Sequence, residues 1–189
     1  MEKTTREKLI QATFEEVYQN GYHGTGLNQI LNKAGLNKGS MYHIFKSKKD
    51  MLLAVIDEVL EPRIMDKYGE ILKQNSNYME KTFDILLGIQ GYDFIRGCPL
   101  NNLVQELSPT DEEIKIKLEE LYFKFENIFE QIIKKAVEVD GLKVKDTKAF
   151  AIFCIACIEG AISTGKKSQD RIYYEQVIKQ LQNIVKTMY

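Results

Sequence analysis

Apolar residues recur along this chain at the three- and four-residue spacing of amphipathic helices, and no segment alternates apolar and polar positions long enough to predict a half-buried strand. The pattern therefore predicts an all-α protein with about nine helices. The expected helices are residues 4–20, a short segment between Thr25 and Gly35, residues 38–45, a helix that starts at Ser47–Asp50 and is kinked by Pro62, and then residues 77–91, 100–107, 110–139, 146–166 and 170–188.

Capping residues mark several of the predicted helix starts. Thr4 with Glu7, and Thr110 with Glu113, have the capping-box spacing, in which each side chain bonds to the backbone of the other residue. Thr25 is the expected N-cap of the second helix.

The composition is that of a folded protein with one or two domains: of 189 residues, 44% are hydrophobic and 28% are charged. The longest apolar run, Ala149–Ile158, has ten residues, about half of the roughly 20 that cross a bilayer. The N-terminal residues are charged where an export signal would be apolar. We therefore expect a cytoplasmic protein without a membrane span.

Charge is distributed unevenly along the chain. Residues 1–50 hold eight Lys or Arg residues against five Asp or Glu residues, a balance of +3, whereas the remainder has a balance of −4. No acidic residue occurs from Val17 to Lys49, a stretch that contains five lysines and both histidines. This end of the chain is predicted to approach phosphate.

The segment from the second to the third predicted helix has the proportions of a helix-turn-helix, with Gly35 permitting the tight turn. The apolar residues of the third helix, expected to face inward, are Met41, Ile44 and Phe45. The polar residues left on outward or N-terminal positions are Lys38, Ser40, Tyr42 and His43. Ammonium, hydroxyl and imidazole groups are those that contact phosphates and base edges in the major groove.

This segment resembles the DNA reader of TetR-family transcriptional regulators. The matching residues, in order and spacing over about residues 4–55, are Gly21-Tyr22-His23-Gly24-Thr25, Ile30, Ala34-Gly35, Lys38-Gly39-Ser40, Tyr42, Phe45-Lys46-Ser47-Lys48 and Leu52. The resemblance implies a helix-turn-helix DNA-binding domain over residues 1–46, followed by a helical ligand-binding and dimerisation domain over residues 47–189.

The resemblance also implies a function and a set of contacts. The chain is expected to be a DNA-binding regulator, a homodimeric repressor released from an inverted-repeat operator by a small molecule of unknown identity. The implied phosphate contacts are Thr25, Tyr42 and Lys48. The residues implied to approach bases or the adjoining backbone are Asn37, Lys38, Gly39, Ser40 and His43, and Lys46 completes the predicted DNA-binding set.

Ligand and dimer contacts are expected in the second domain. Phe83, Phe94, Cys98 and Phe123 are candidate cavity residues. Glu106 and Glu159 lie in apolar helical stretches, where a carboxylate needs a donor or a cationic ligand, although a salt bridge or exposure would explain them equally well. The dimer interface is expected on the last two helices, whose candidate contact residues are Ala149, Phe153, Ala156, Gly160, Ile172, Val177, Leu181 and Ile184.

Other motifs favour structural interpretations. Cys154 and Cys157 have CxxC spacing but lie in an apolar helix, which favours buried packing. The two histidines do not form a metal set with the distant cysteines, and they lie in the predicted reader, so we expect no metal, no cofactor and no catalysis. Two alternatives remain open: a helical adaptor that binds no DNA, and a redox-sensing regulator that uses the Cys98 thiol.

Overall fold

The computed structural model describes residues 3–88 and 93–189, and all regular elements within those ranges are helical. In the described part of the chain there are nine helices: α1 Thr5–Asn20, α2 Leu27–Ala34, α3 Lys38–Tyr42, α4 Lys48–Leu72, α5 Tyr78–Leu87, α6 Pro99–Leu107, α7 Glu112–Asp140, α8 Thr147–Ser168 and α9 Arg171–Lys186. The predicted all-α fold is confirmed.

Two of these helices contain a π-helical turn. In α4, the segments Lys48–Val55 and Glu61–Leu72 are joined by the π turn Ile56–Leu60, in which the N–H of Glu61 donates to the carbonyl of Ile56. The irregularity expected at Pro62 thus takes the form of a π turn just before it. In α7, the π turn Ala136–Asp140 completes the helix.

Most helix ends agree with the capping residues in the sequence, with two exceptions. The capping box of Thr4 and Glu7 is present, with the Thr4 N–H donating to Glu7 Oε2 at 2.7 Å. The predicted box at Thr110 is wrong, because the cap is Asp111, whose Oδ1 accepts from the N–H of Ile114 at 3.1 Å, and α7 begins at Glu112.

The second exception is Thr25, which does not cap α2. Gly26 takes that position, and Gln29 Oε1 accepts the Gly26 N–H. Further along, α5 ends at Leu87, and the rest of the helix predicted over residues 77–91 lies partly outside the described residues.

The chain divides into two compact units, Met1–Arg63 with Pro99–Leu121, and Ile64–Cys98 with Tyr122–Tyr189. The division differs from the boundary expected after residue 46, because the first unit includes the start of α4, all of α6 and the start of α7. An apolar pattern identifies buried faces but does not show which other helix covers them, so the sequence alone did not predict this grouping.

In the first unit, α1 packs against α2 and α4. The buried residues of these helices and of α3 include Leu9, Ile10, Phe14, Ile30, Leu31, Met41, Met51, Leu52 and Val55. Residues 99–121 add a second buried set, which includes Leu100, Leu103, Leu107, Ile114 and Leu118. Helices α1–α3 and residues 99–121 therefore belong to one folded unit.

In the second unit, α9 packs along α8 and also against α5. Its core contains an aromatic cluster in which the Tyr68 ring lies 5.5 Å from Phe125 and 4.8 Å from Phe129, between centroids. Tyr174 is buried, and its hydroxyl donates to the Leu86 carbonyl at 2.9 Å. This bond satisfies a polar group that would otherwise be costly to bury.

By length and composition alone, α8 is apolar enough to cross a membrane. A core helix of a globular domain passes the same test, and α8 contributes buried side chains to the second unit along one face. Those buried residues are Ala151, Cys154, Ile155, Ile158, Ala161, Ile162 and Gly165.

Candidate nucleic-acid interface

The turn between α2 and α3 is built from backbone bonds and one side-chain cap. Gly35 has φ +67, a left-handed conformation that glycine adopts without steric cost, and the Leu36 N–H returns to the carbonyl of Leu31 at 3.0 Å. Asn37 Oδ1 accepts from the N–H of Ser40 at 2.9 Å and so starts α3. The turn sets the direction in which α3 leaves α2.

The short helix α3 buries one side and exposes the other. Met41 is fully buried and Phe45 is 6% exposed, whereas Tyr42 is 58% exposed. Ile44 was expected to face inward but is 36% exposed. That expectation is wrong because α3 ends at Tyr42, so helical spacing no longer applies to Ile44.

Most of the predicted DNA-contact residues lie on α3 or close to its ends. Lys38, Gly39, Tyr42, His43 and Lys46 are exposed, and Ser40 is half-buried at the helix start. Asn37 is also exposed, although its side-chain oxygen is used as the cap. Among the described residues, no carboxylate forms an ion pair with Lys38 or Lys46, which leaves both ammonium groups available to an anion.

Thr25 and Lys48 are oriented differently from the prediction. Thr25 is 1% exposed, and its hydroxyl donates to the carbonyls of Gly21 at 2.7 Å and Glu16 at 3.1 Å. The Lys48 ammonium donates to the carbonyls of Tyr22 and Thr25, both at 2.8 Å. A side-chain phosphate contact by Thr25 is therefore wrong for this structure, and Lys48 is engaged by the protein itself.

Burial also affects the Lys48 ammonium. Its pKa is lowered by desolvation, and this effect is opposed by the negative charge of Glu106. The ammonium lies 4.0 Å from the centroid of the Tyr22 ring, a cation–π contact. Lys48 therefore stabilises the loop between α1 and α2.

Two more lysines of the acid-free stretch are paired with carboxylates outside it. Lys33 lies 3.1 Å from Glu16. Lys49 lies 2.8 Å from Asp111 and 2.7 Å from Glu113 at the start of α7. The charge pattern alone gave no sign that these cations are paired.

Glu106, predicted as a ligand contact, instead binds the loop between α1 and α2. Its Oε2 accepts from the N–H of Tyr22 at 2.8 Å, and its Oε1 accepts from the N–H of His23 at 2.7 Å. Oε1 also lies 2.8 Å from His23 Nδ1. Burial raises the pKa of Glu106, but these hydrogen bonds outweigh it, and the pKa lies below its usual value. The ligand assignment is wrong because both oxygens are used within the first unit.

Comparison with known proteins places this geometry in a family. Residues 9–55 match the domain described as bacterial regulatory proteins of the tetR family, and residues 81–181 match the tetracyclin repressor-like C-terminal domain. The chain belongs to the tetR family. It is a DNA-binding transcriptional regulator.

Individual relatives support this membership over most of the chain. An uncharacterised HTH-type transcriptional regulator from Lactococcus lactis subsp. lactis is 33% identical over 172 residues, covering 89% of this chain and 86% of the relative. The HTH-type transcriptional regulator LmrA of Bacillus subtilis is 29% identical, covering 94% and 96%. Among solved structures, the reduced form of E. coli NemR has a TM-score of 0.85 at 22% identity, covering 96% and 97%.

The predicted aromatic ligand contacts of this tetR-family chain differ in burial. Phe83 and Phe94 are 2% and 9% exposed in the core of the second unit, and Phe94 packs 5.2 Å from Tyr174, between ring centroids. Phe123 is 62% exposed, so its prediction as a cavity residue is wrong. Its position in the periodic pattern did not distinguish core from surface.

Cys98 and Glu159 share an environment that the sequence did not indicate. Burial raises the pKa of both Tyr68 and Tyr122, and Cys98 and Glu159 each raise these values further. Burial lowers the pKa of Lys67, an effect opposed by Cys98. Cys98 thus affects Lys67, Tyr68 and Tyr122, and Glu159 affects the two tyrosines. Lys67, Tyr68 and Tyr122 were not predicted site residues.

The predicted dimer residues of α8 form an exposed stripe. The residues of this stripe are Ala149, Phe153, Ala156 and Gly160, spaced by four, three and four positions. Phe153 is 44% exposed, and Ile172 and Ile184 of α9 are 53% and 41% exposed. Val177 is half-buried. Leu181 is 3% exposed and belongs to the core of the second unit, where it lines a surface pocket with Val177 and Ile184, and its place in the interface stays a prediction.

Proposed function

We propose that this regulator is a repressor that binds an inverted-repeat operator as a homodimer in the cytoplasm, and that a small molecule releases it. The exposed side of α3 carries the DNA-binding part of the proposal. Lys38 and Tyr42 on α3, with His43 and Lys46 just after it, supply cationic and hydrogen-bonding groups. The segment is held in place by the buried side chains of Met41 and Phe45.

Homodimer formation is supported by the exposed stripe on α8 together with the exposed apolar residues Ile172 and Ile184 on α9. Large exposed side chains such as Phe153 and Ile172 are costly in water, while Ala156 and Gly160 allow close helix approach. Dimeric helix-turn-helix proteins bind half-sites about 34 to 36 Å apart, and we expect the same spacing in the operator.

The inducer is proposed to bind in the second unit, whose aromatic core contains Phe83 and Phe94 and packs against Cys98. An aromatic or apolar ligand would suit that core. An inducer acts only if it binds the DNA-incompetent state more tightly than the DNA-bound state.

The experiment that tests the DNA-binding proposal is selection of genomic fragments with the purified protein, followed by affinity measurements over a salt series. The logarithm of the affinity should fall linearly with the logarithm of salt concentration, by about 0.9 per phosphate contacted. Compounds are then screened for release of the selected fragment. If no duplex binds even at low salt, the adaptor alternative is supported and the repressor is excluded.

A thiol-based response is a second candidate, favoured by the position of Cys98. This half-buried residue directly precedes α6 and interacts electrostatically with the Lys67 ammonium. A thiol that is partly exposed can be reached by an oxidant. Operator release by hydrogen peroxide that is lost in Cys98→Ser and kept in Cys157→Ser would support it, whereas equal release in both variants would refute it.

We infer no catalytic function for the chain. His23 and His43, the chain's two histidines, lie in the first unit, and the His23 ring is hydrogen-bonded to Glu106. General base catalysis needs a base within hydrogen-bond reach of a reacting group in a cleft.

A further inference from the structure

The loop between α1 and α2 is held by two side chains of opposite charge that come from distant parts of the sequence. Glu106 of α6 accepts hydrogen bonds from the N–H groups of Tyr22 and His23 at 2.8 and 2.7 Å. Lys48 of α4 donates to the carbonyls of Tyr22 and Thr25, both at 2.8 Å. The backbone of Tyr22 is therefore bound on its N–H side by an anion and on its carbonyl side by a cation.

Local geometry makes room for this arrangement. Gly21 has φ +75, and a Cβ placed there would lie 3.1 Å from Glu106 Oε2, closer than ordinary van der Waals contact. The absence of a side chain at Gly21 thus allows the carboxylate to approach the next two N–H groups. Charge-assisted hydrogen bonds of this kind are roughly twice as strong as neutral ones.

The loop determines where α2 begins. Gly26, directly after the loop, is the N-cap of α2, and α2 leads through the Gly35 turn into α3. Thr25 is fixed by its hydroxyl bonds to Gly21 and Glu16 at the end of α1. A shift of the loop would therefore move the start of the α2–α3 pair, which carries the exposed groups that we propose contact DNA.

We propose that Glu106 and Lys48 form a clamp on residues 22–25 through which α6 positions the α2–α3 pair for DNA, so that Glu106 is a positioning residue for operator binding. This role rests on the proposed use of α3 as the DNA-reading helix. Neither residue needs to touch the duplex, because the clamp acts through the loop backbone.

The first test is amide hydrogen exchange in the free protein, which requires no DNA. Glu106→Ala should accelerate exchange at Tyr22 and His23 by about 10-fold or more, since a hydrogen bond to a charged group is lost at each amide. Glu106→Gln keeps an acceptor oxygen and should show a smaller increase. The control is Glu119→Gln, which removes one carboxylate at an exposed position of α7 and should leave exchange unchanged.

The second test is affinity for the selected operator fragment over a salt series. Glu106→Ala should weaken binding by about 10-fold with an unchanged salt slope, because no phosphate contact is lost. Glu119→Gln should leave binding unchanged or tighten it slightly, since it removes negative charge. If Glu106→Ala tightens binding as Glu119→Gln does, its carboxylate acts only as repulsive charge and the proposal is overturned.

A further variant reaches the clamp without altering its charges. Gly21→Ala places a side chain at φ +75, where it is strained, and its Cβ would meet the carboxylate, so it should reproduce the effects of Glu106→Ala on exchange and on affinity. Unchanged exchange at Tyr22 in both Gly21→Ala and Glu106→Ala would overturn the clamp. If no duplex binds the unmodified protein, the proposed function fails, while the exchange measurement still decides whether the clamp exists.

Discussion

At the scale of single residues, the lysines between Val17 and Lys49 fall into two groups: exposed ones, which we propose contact DNA, and ones that bind other parts of the first unit. Lys38 and Lys46 are exposed, whereas Lys48 donates to two loop carbonyls. The sequence predicted DNA contact for both Lys46 and Lys48, because residue type and spacing do not indicate which way a flexible side chain turns. The distinction leads to different expected salt dependences.

Lys46→Ala should weaken binding to all duplexes and lower the salt slope by about 0.9, as expected for one lost phosphate contact. Lys48→Ala should weaken binding with an unchanged slope, because its ammonium holds the loop. The measurement is the affinity of each variant for one operator fragment at several salt concentrations. Equal losses of slope would return Lys48 to the phosphate-contact set.

Lys38 and Tyr42 should differ in a similar way. Tyr42→Phe removes one hydroxyl and should weaken binding to all sequences alike, whereas Lys38→Ala should change discrimination among operator variants by about 1 to 3 kcal/mol if its ammonium contacts a base. Competition between operator variants measures both effects. A uniform loss in Lys38→Ala would identify it as a phosphate contact.

The lowered pKa of Glu106 predicts acid sensitivity of the first unit. Because the carboxylate binds fewer protons in the folded state, its stabilising contribution is present above the ordinary value of 4.5 and is lost as pH falls below that value. The free energy of unfolding should therefore decrease more steeply on acidification in the unmodified protein than in Glu106→Gln. Parallel pH profiles from denaturant titrations would contradict this prediction.

At the scale of elements, helix positions were largely predictable and helix neighbours were not. The spacing of apolar residues and the cap at Thr4 gave the extents of α1, α8 and α9 within a few residues, because these signals are local. The contact of Glu106 with residues 22 and 23 joins positions more than 80 apart in the chain, and no local pattern records it.

The packing of α8 against Phe94 gives a stability prediction for the second unit. A Cβ at Gly165 would lie 2.7 Å from Phe94 Cδ1 and 3.3 Å from Tyr174 Cβ, so Gly165→Ala forces one of these buried rings to move. We expect a loss of about 1 to 3 kcal/mol of unfolding free energy, despite the better helix propensity of alanine. Chemical denaturation measures this loss, and a gain in stability would show that the rings adjust freely.

At the scale of the whole molecule, the exposed stripe of α8 and α9 should determine the oligomeric state. Phe153→Glu places a charge in the middle of the stripe and should shift the dimer toward monomer, with a parallel loss of operator affinity. Phe123→Glu changes an even more exposed phenylalanine outside the stripe and should leave both properties unchanged. Sedimentation velocity distinguishes these outcomes, and an intact Phe153→Glu dimer would exclude the stripe as the interface.

The π turn in α4 makes one position of that helix tolerant of a deletion. Its hydrogen bonds run from residue i to residue i+5, so the turn takes up one more residue than an α-helical turn does. Removing one residue from Ile56–Leu60 should therefore restore regular winding and leave the side chains of Glu61–Leu72 on nearly the same side of the helix. A one-residue deletion between Glu61 and Tyr68 should instead turn the residues after it by about 100° and move the buried Tyr68 and Ile71 out of their core, with the larger loss of unfolding free energy in chemical denaturation.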